Sequence, residues 1–334
     1  MTPFRFLCFA LSTALFGFFM TGCAGPGESL EGPSPESSFT EQLNRVYFPN
    51  NTSEGWIAGN NGTILHTLNS GATWTAQLSG TTQNLSAVYF NDVNNGWAVG
   101  NGGVILNTIN SGLSWIRQSS ETAQNLNDVY FSDAKTGWAV GDAGTILYTS
   151  DGGVNWSVLG GGWSRNLRRV FIGAANRGWI VGDGGLILRA DLNVSGGFWS
   201  AELSGSTQNL RAVSVTGSFA WIVGDGGLIL KGTVPSTGLP AFWMRAPQVT
   251  ASVSLTDIFF SNASNGWVVG EAGVLLQTTN GGNIWFPRST RTDAYLRSLY
   301  FASDSQTGWA VGDNGTLLHT VDGGIFWIRQ YVRQ

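Results

Sequence analysis

Residue types that do chemistry are sparse in this chain, and those present fall at repeated positions. Only two His occur, His66 and His319. Both occupy one point of a recurring segment, where other copies carry Asn107, Tyr148 and Gln277. A metal ligand or general base tolerates no such exchange, so this reads as a permissive strand position. Two Cys, Cys8 and Cys23, form no cluster with His, so a transition-metal centre lacks ligands. No Gly-x-Ser-x-Gly elbow occurs. The "GDGG" strings have no helix after them and read as turns, not phosphate cradles. Tyr47, Tyr89, Tyr130 and Tyr300 recur in "VYF" or "LYF", which suits packing better than a single nucleophile. No catalytic residue, metal or cofactor is expected, and no enzyme.

Arginine is the one chemical signature. Arg outnumbers Lys by 15 to 2, and the Arg fork matches a carboxylate in a way that Lys does not. Arg168, Arg211 and Arg297 stand in "NLRRV", "NLRAV" and "YLRSL"; Arg45 and Arg169 fill the adjacent column. Other copies offer Asn44, Ser86, Asn127, Asp128 and Thr256 instead, so the basic groups describe an arc. The arc suits one acidic segment or C-terminal carboxylate of a partner. The competing reading pairs these Arg with nearby Asp turns that tie repeats together.

The elements that carry this arc come from the repeat. Gly-Trp or its equivalent recurs at Trp56, Trp97, Trp138, Trp179, Trp221, Trp267 and Trp309, a period of about 42 residues, and a second Trp follows each. Each unit holds four short runs rich in β-branched and aromatic residues; in unit 3 these are "DVYFS", "GWAVG", "GTILYT" and "NWSVL". Continuously apolar runs fit strands covered on both faces. Four strands per unit and seven units define an all-β, seven-bladed β-propeller over residues 43–334, with four antiparallel strands per blade. Strand one of each unit should line the channel, with the strand two-to-three turns opening on the same face as the Arg arc. All units run in one phase. The ring can therefore close by packing alone, unless residues Phe39–Leu43 add a strand. One chain completes the ring, and a monomer is expected.

"MTPFRFLCFALSTALFGFFMTGC" has one basic residue, an apolar run too short to span a membrane, and a terminal Cys. It resembles the signal peptide and lipobox of bacterial lipoproteins. The resemblance implies removal of residues 1–22, lipidation of Cys23, and attachment to the extracytoplasmic side of a bacterial membrane (the thylakoid lumen in a cyanobacterium). Residues 23–42, rich in Gly, Pro and Ser, read as a flexible tether. A net charge of −4 with 11% charged residues argues against a nucleic-acid partner.

"TSDGGVNW", "TTNGGNIW" and "TVDGGIFW" resemble the Asp-box turn of sialidase-type propellers. The whole unit resembles the photosystem II assembly and stability factor family, across all seven copies. That resemblance implies a non-enzymatic propeller with an arginine-rich patch, matched here by Arg168, Arg211 and Arg297. It implies a protein partner, such as an integral membrane complex, held during assembly. Two other classes stay open: a glycan-binding or sialidase-like surface protein, and an envelope structural or adhesion module.

Overall fold

The computed structural model describes residues 39–49, 53–173, 177–192, 196–234, 242–246 and 252–332. The expected signal peptide, Cys23 and most of the expected tether lie outside them. Strands β1 to β28, numbered in chain order, form seven four-stranded antiparallel sheets, each built from four consecutive strands. Blade 1 comprises β1 (Leu43–Tyr47), β2 (Gly55–Gly59), β3 (Ile64–Thr67) and β4 (Thr75–Gln77). The innermost strands of blades 2 to 7 are β5 (Leu85–Phe90), β9 (Leu126–Phe131), β13 (Leu167–Gly173), β17 (Leu210–Thr216), β21 (Leu255–Phe260) and β25 (Leu296–Phe301). The seven-bladed propeller is as expected from the repeat.

The Gly-Trp pair is explained by one packing motif. Phe90 at the end of β5 lies between two blades. On one side Trp56 of blade 1 stacks on it at 3.7 Å between centroids. On the other side is Gly96 of its own blade, where a Cβ would come within 2.4 Å of the ring. The stack repeats at Trp97–Phe131, Trp221–Phe260 and Trp267–Phe301, at 3.6, 3.7 and 3.6 Å. Ile172 and Val215 replace the Phe in blades 4 and 5, so those junctions lack it. The indoles also latch neighbours. Trp97 Nε1 donates to Gly152 O at 3.2 Å and Trp267 Nε1 to Gly323 O at 2.9 Å.

Those carbonyls sit in the Asp-box turns, whose polar groups are spent internally. Thr149 Oγ1 donates to Asp151 Oδ1 at 2.9 Å and accepts from Gly153 N at 2.8 Å. Asp151 Oδ1 also accepts from Asn155 N at 2.9 Å. Asn69 and Asn110 do the same through Oδ1, accepting from Thr73 N and Ser114 N at 2.9 and 3.0 Å. The turn is a structural cap in either chemistry.

The ring closes by packing. Trp309 of blade 7 stacks on Phe48 of blade 1 at 3.9 Å. Among the described residues no strand is exchanged between the termini: each sheet is consecutive. The residues before β1 nonetheless belong to the propeller. Gly315 N donates to Glu41 O at 3.0 Å, as Gly273 N does to Ala294 O at 2.9 Å within the chain, and Phe39 packs against the blade 7–blade 1 core. The tether expected to reach residue 42 therefore gives way to ordered structure by Phe39, because these residues fill the place of an inter-blade linker.

Candidate functional site

A β-bulge creates the mouth of the channel. Leu167 pairs with Gly182 and Arg169 with Val181, so Arg168 is skipped in the ladder. The same shift skips Asn44, Ser86, Asn127, Arg211, Thr256 and Arg297. A bulge leaves its extra residue unpaired and re-aims its side chain. Here it supplies one polar side chain per blade to a cavity of about 300 Å³, which Tyr295 also lines.

Each arginine at the mouth is held by the strand two-to-three turn of its own blade. Arg168 binds Asp183 with Nε and Nη2, both at 2.8 Å. Arg211 and Arg297 give only Nε, at 2.6 Å, to Asp225 and Asp313. The terminal nitrogens of these two remain available. The guanidinium of Arg297 lies 4.6 Å over the Tyr295 ring. All three arginines keep about a third of the side chain exposed, at 32, 30 and 30%. Burial alone would raise the Asp183 carboxyl, but Arg168 outweighs it and holds the group below its usual range. Burial likewise opposes the charge on Arg211, yet Asp225 and its neighbours raise its pKa. These three arginine–aspartate pairs at the mouth form within blades. Ties between blades come from the polar residues instead, with Asn44 Nδ2 donating to Leu85 O and Asn127 Nδ2 to Leu167 O, each at 2.8 Å.

Arg169 lines the mouth cavity as expected, whereas Arg45 does not. Both stand one residue beyond the bulge and face two buried carboxylates. Arg169 pairs directly with Asp257 and lies 3.8 Å from Asp128; Arg45 lies 3.8 Å from Asp257. Asp128, also expected at the mouth, is here 2% exposed. Asp128 accepts from Val170 N of the next blade at 3.0 Å, and Asp257 from Leu299 N at 3.1 Å. Burial pushes Asp128 up to about 6, against Arg45 and the Val170 N–H, and raises Asp257 in the same way. The four groups form a buried charged cluster, the plug, beneath the mouth. Arg169 borders the mouth from below; Arg45 lines only the inner cavity of about 150 Å³. Under this plug comes an aromatic collar. Tyr47, Tyr89, Tyr130, Phe171, Phe259 and Tyr300 line that inner cavity with Ser214. The recurrent Tyr of strand one thus faces the channel and packs on its neighbours, 4.9 Å from Tyr47 to Tyr89 and from Tyr89 to Tyr130. Reading the column down all seven copies would have exposed Asp257, which the sequence reading passed over.

The histidines sit on third strands. His66 stacks on Trp56 at 4.4 Å and lies 3.3 Å from Glu54; His319 stacks on Trp309 at 5.3 Å. Burial lowers both pKa values. Among the described residues no group of three His, Cys, Asp or Glu is placed to hold a metal, and no helix is long and apolar enough to cross a membrane.

The fold and mouth define a repeat propeller with an arginine-lined recess at one end of its channel. Residues 34–121, 110–201 and 236–333 match the family model described as photosynthesis system II assembly factor YCF48, and the chain belongs to that family. No curated protein matches the sequence significantly. Among solved structures, it is similar to YCF48 from Cyanidioschyzon merolae, with 20% identity, 86% of this chain and 97% of that chain covered, and a TM-score of 0.70. It is similar to YCF48 bound to a D1 peptide, with 21% identity, coverage of 85 and 93%, and a TM-score of 0.69. The GH74 xyloglucanase from Xanthomonas campestris shares the fold at 12% identity and a TM-score of 0.72, over 88% of this chain and 55% of that one.

Proposed function

We propose that this protein is a non-enzymatic, lipid-anchored scaffold on the extracytoplasmic side of a membrane. It captures a carboxylate-bearing segment of a protein partner at the channel mouth during assembly or stabilisation of a membrane complex. The observation that carries this reading is the mouth itself, where Arg211 and Arg297 spend one nitrogen each on their aspartates and keep the rest for a ligand. Arg168, Arg211 and Arg297 contact the carboxylate; Arg169 and Arg45 sit beneath it and hold the floor. Membership in the assembly-factor family supports a protein partner, as does the likeness to a relative bound to a D1 peptide. The anchor rests on the "MTGC" motif ending at Cys23.

The test is calorimetric titration of the full chain with a D1 peptide ending in a free carboxylate. A charge-assisted contact contributes about 1.5–3 kcal/mol when shielded, so Ala at 168, 211 and 297 together should weaken binding on the order of 100-fold or more. The thermal midpoint should stay near wild type. Ala at Arg117 and Arg329, on outer strands, should leave affinity unchanged. A triple variant that binds normally refutes the reading; one that loses its fold shows the arginines to be structural.

A further inference from the structure

The outer strands of the blades are not alike. Those of blades 1, 2 and 3 are β4, β8 (Ile116–Gln118) and β12 (Ser157–Val158). Those of blades 5, 6 and 7 are β20 (Trp243–Arg245), β24 (Phe286–Arg288) and β28 (Ile328–Arg329), all of two or three residues. Blade 4 instead ends in β16 (Phe198–Leu203), six residues paired along their whole length with Leu186–Asp191. In a strand paired on one side only, alternate residues direct N–H and C=O outward, a template for another strand. Proteins blunt such edges with short strands, charges or Pro. The other blades do so: Arg117, Arg245 and Arg329 are exposed on β8, β20 and β28, and β24 carries Pro287. Among the described outer strands, β16 alone is long and bears no exposed charge. Its single ionisable residue, Glu202, is buried and held by Arg189 at 2.8 Å and Trp243 Nε1 at 3.1 Å.

We infer that β16 pairs with β16 of a second copy of this chain, in place of the monomer expected from the sequence. A two-fold axis between antiparallel strands keeps each face on the same side, so paired residue numbers must sum to an even value. The register centred on Ala201 meets that condition. It sets Ala201, small and exposed, against its own copy, and sets Leu203 against Trp199 twice. With Glu202 neutralised inside each blade, the two edges meet without like-charge repulsion. Leu203 is 93% exposed and Phe198 74%. In the adjoining blade 5, Phe242 just before β20 and Met244 within it are 70 and 57% exposed. Covering these four side chains and the strand edges on both copies removes roughly 1,200 Å² from water, the lower limit of a standard stable interface.

Two measurements on the full chain in mild detergent test this. Sedimentation should give the mass of two chains at about 50 μM, and Leu203→Lys should weaken the association at least about tenfold. In a background with Cys8 and Cys23 replaced by Ser, Ala201→Cys should form an intermolecular disulfide on mild oxidation, because opposed Cα atoms of antiparallel strands lie about 4.5–5.5 Å apart, within the span a disulfide bridges. Arg117→Cys on blade 2 is the control and should not cross-link. A monomeric wild type at that concentration overturns the proposal. So does a dimer indifferent to Leu203→Lys, or equal cross-linking at the two positions.

Discussion

Asp128 in the channel plug offers a test with a sign and a size. Burial raises its carboxyl from 3.8 to about 6, in spite of Arg45 and the Val170 N–H. Between those values the folded chain binds more protons than the unfolded one, so this group's contribution to stability falls as pH rises. The cost is absent below about pH 3.8, complete above about pH 6, and amounts in full to about 3 kcal/mol. Asp128→Asn cannot titrate and keeps an oxygen for Val170 N. The two histidines, lowered by burial, act in the opposite sense, losing stability as pH falls through the range below 6.5. They are present in both proteins and cancel in the difference. Urea unfolding followed by Trp fluorescence should be run on both at about pH 7.5 and about pH 4.5. Wild type should gain about 2 kcal/mol relative to the variant across that interval. Parallel profiles would refute the reasoning and show that Arg45 and Arg169 compensate the buried carboxylate fully.

Other consequences follow from the packing and the N-terminus. Trp309→Ala removes the 3.9 Å stack that closes the ring and should cost about 3–5 kcal/mol, with amide exchange accelerating first in blades 1 and 7. In wild type those two blades should already exchange faster than blades 3 and 4, since no covalent link crosses their junction; uniform protection would contradict this. Gly96→Ala drives a methyl into the Phe90 ring and should destabilise by about 1–3 kcal/mol in a melting experiment. Cys23→Ser should leave unprocessed precursor or soluble product, whereas wild type should partition into the detergent phase; wild type recovered from the aqueous phase would sink the anchor.

The period, the four apolar runs and the paired Trp columns made the propeller legible from residues alone, because each blade is a local unit. A unit that cannot bury its own faces must stack on copies of itself, so seven copies imply the ring. The arginine arc at Arg168, Arg211 and Arg297 was legible for the same reason. It occupies one column, and strand one of a propeller faces the channel.

The tertiary structure decided what adjacent columns do. Residues 168 and 169 differ by one position and both carry Arg, yet one pairs with an aspartate of its own blade and the other with an aspartate of a distant blade. The bulge that separates their directions is a property of strand pairing, not of composition. Asp257 meets Arg45 and Arg169 from blades far apart in sequence, a contact that only ring closure creates. Charge pairs of this kind depend on which blades face each other across the axis, and repeat spacing carries no record of that. The edge of blade 4 is a similar case. "FWSAEL" reads like any outer run, and its exposed length appears only once all seven outer strands can be compared.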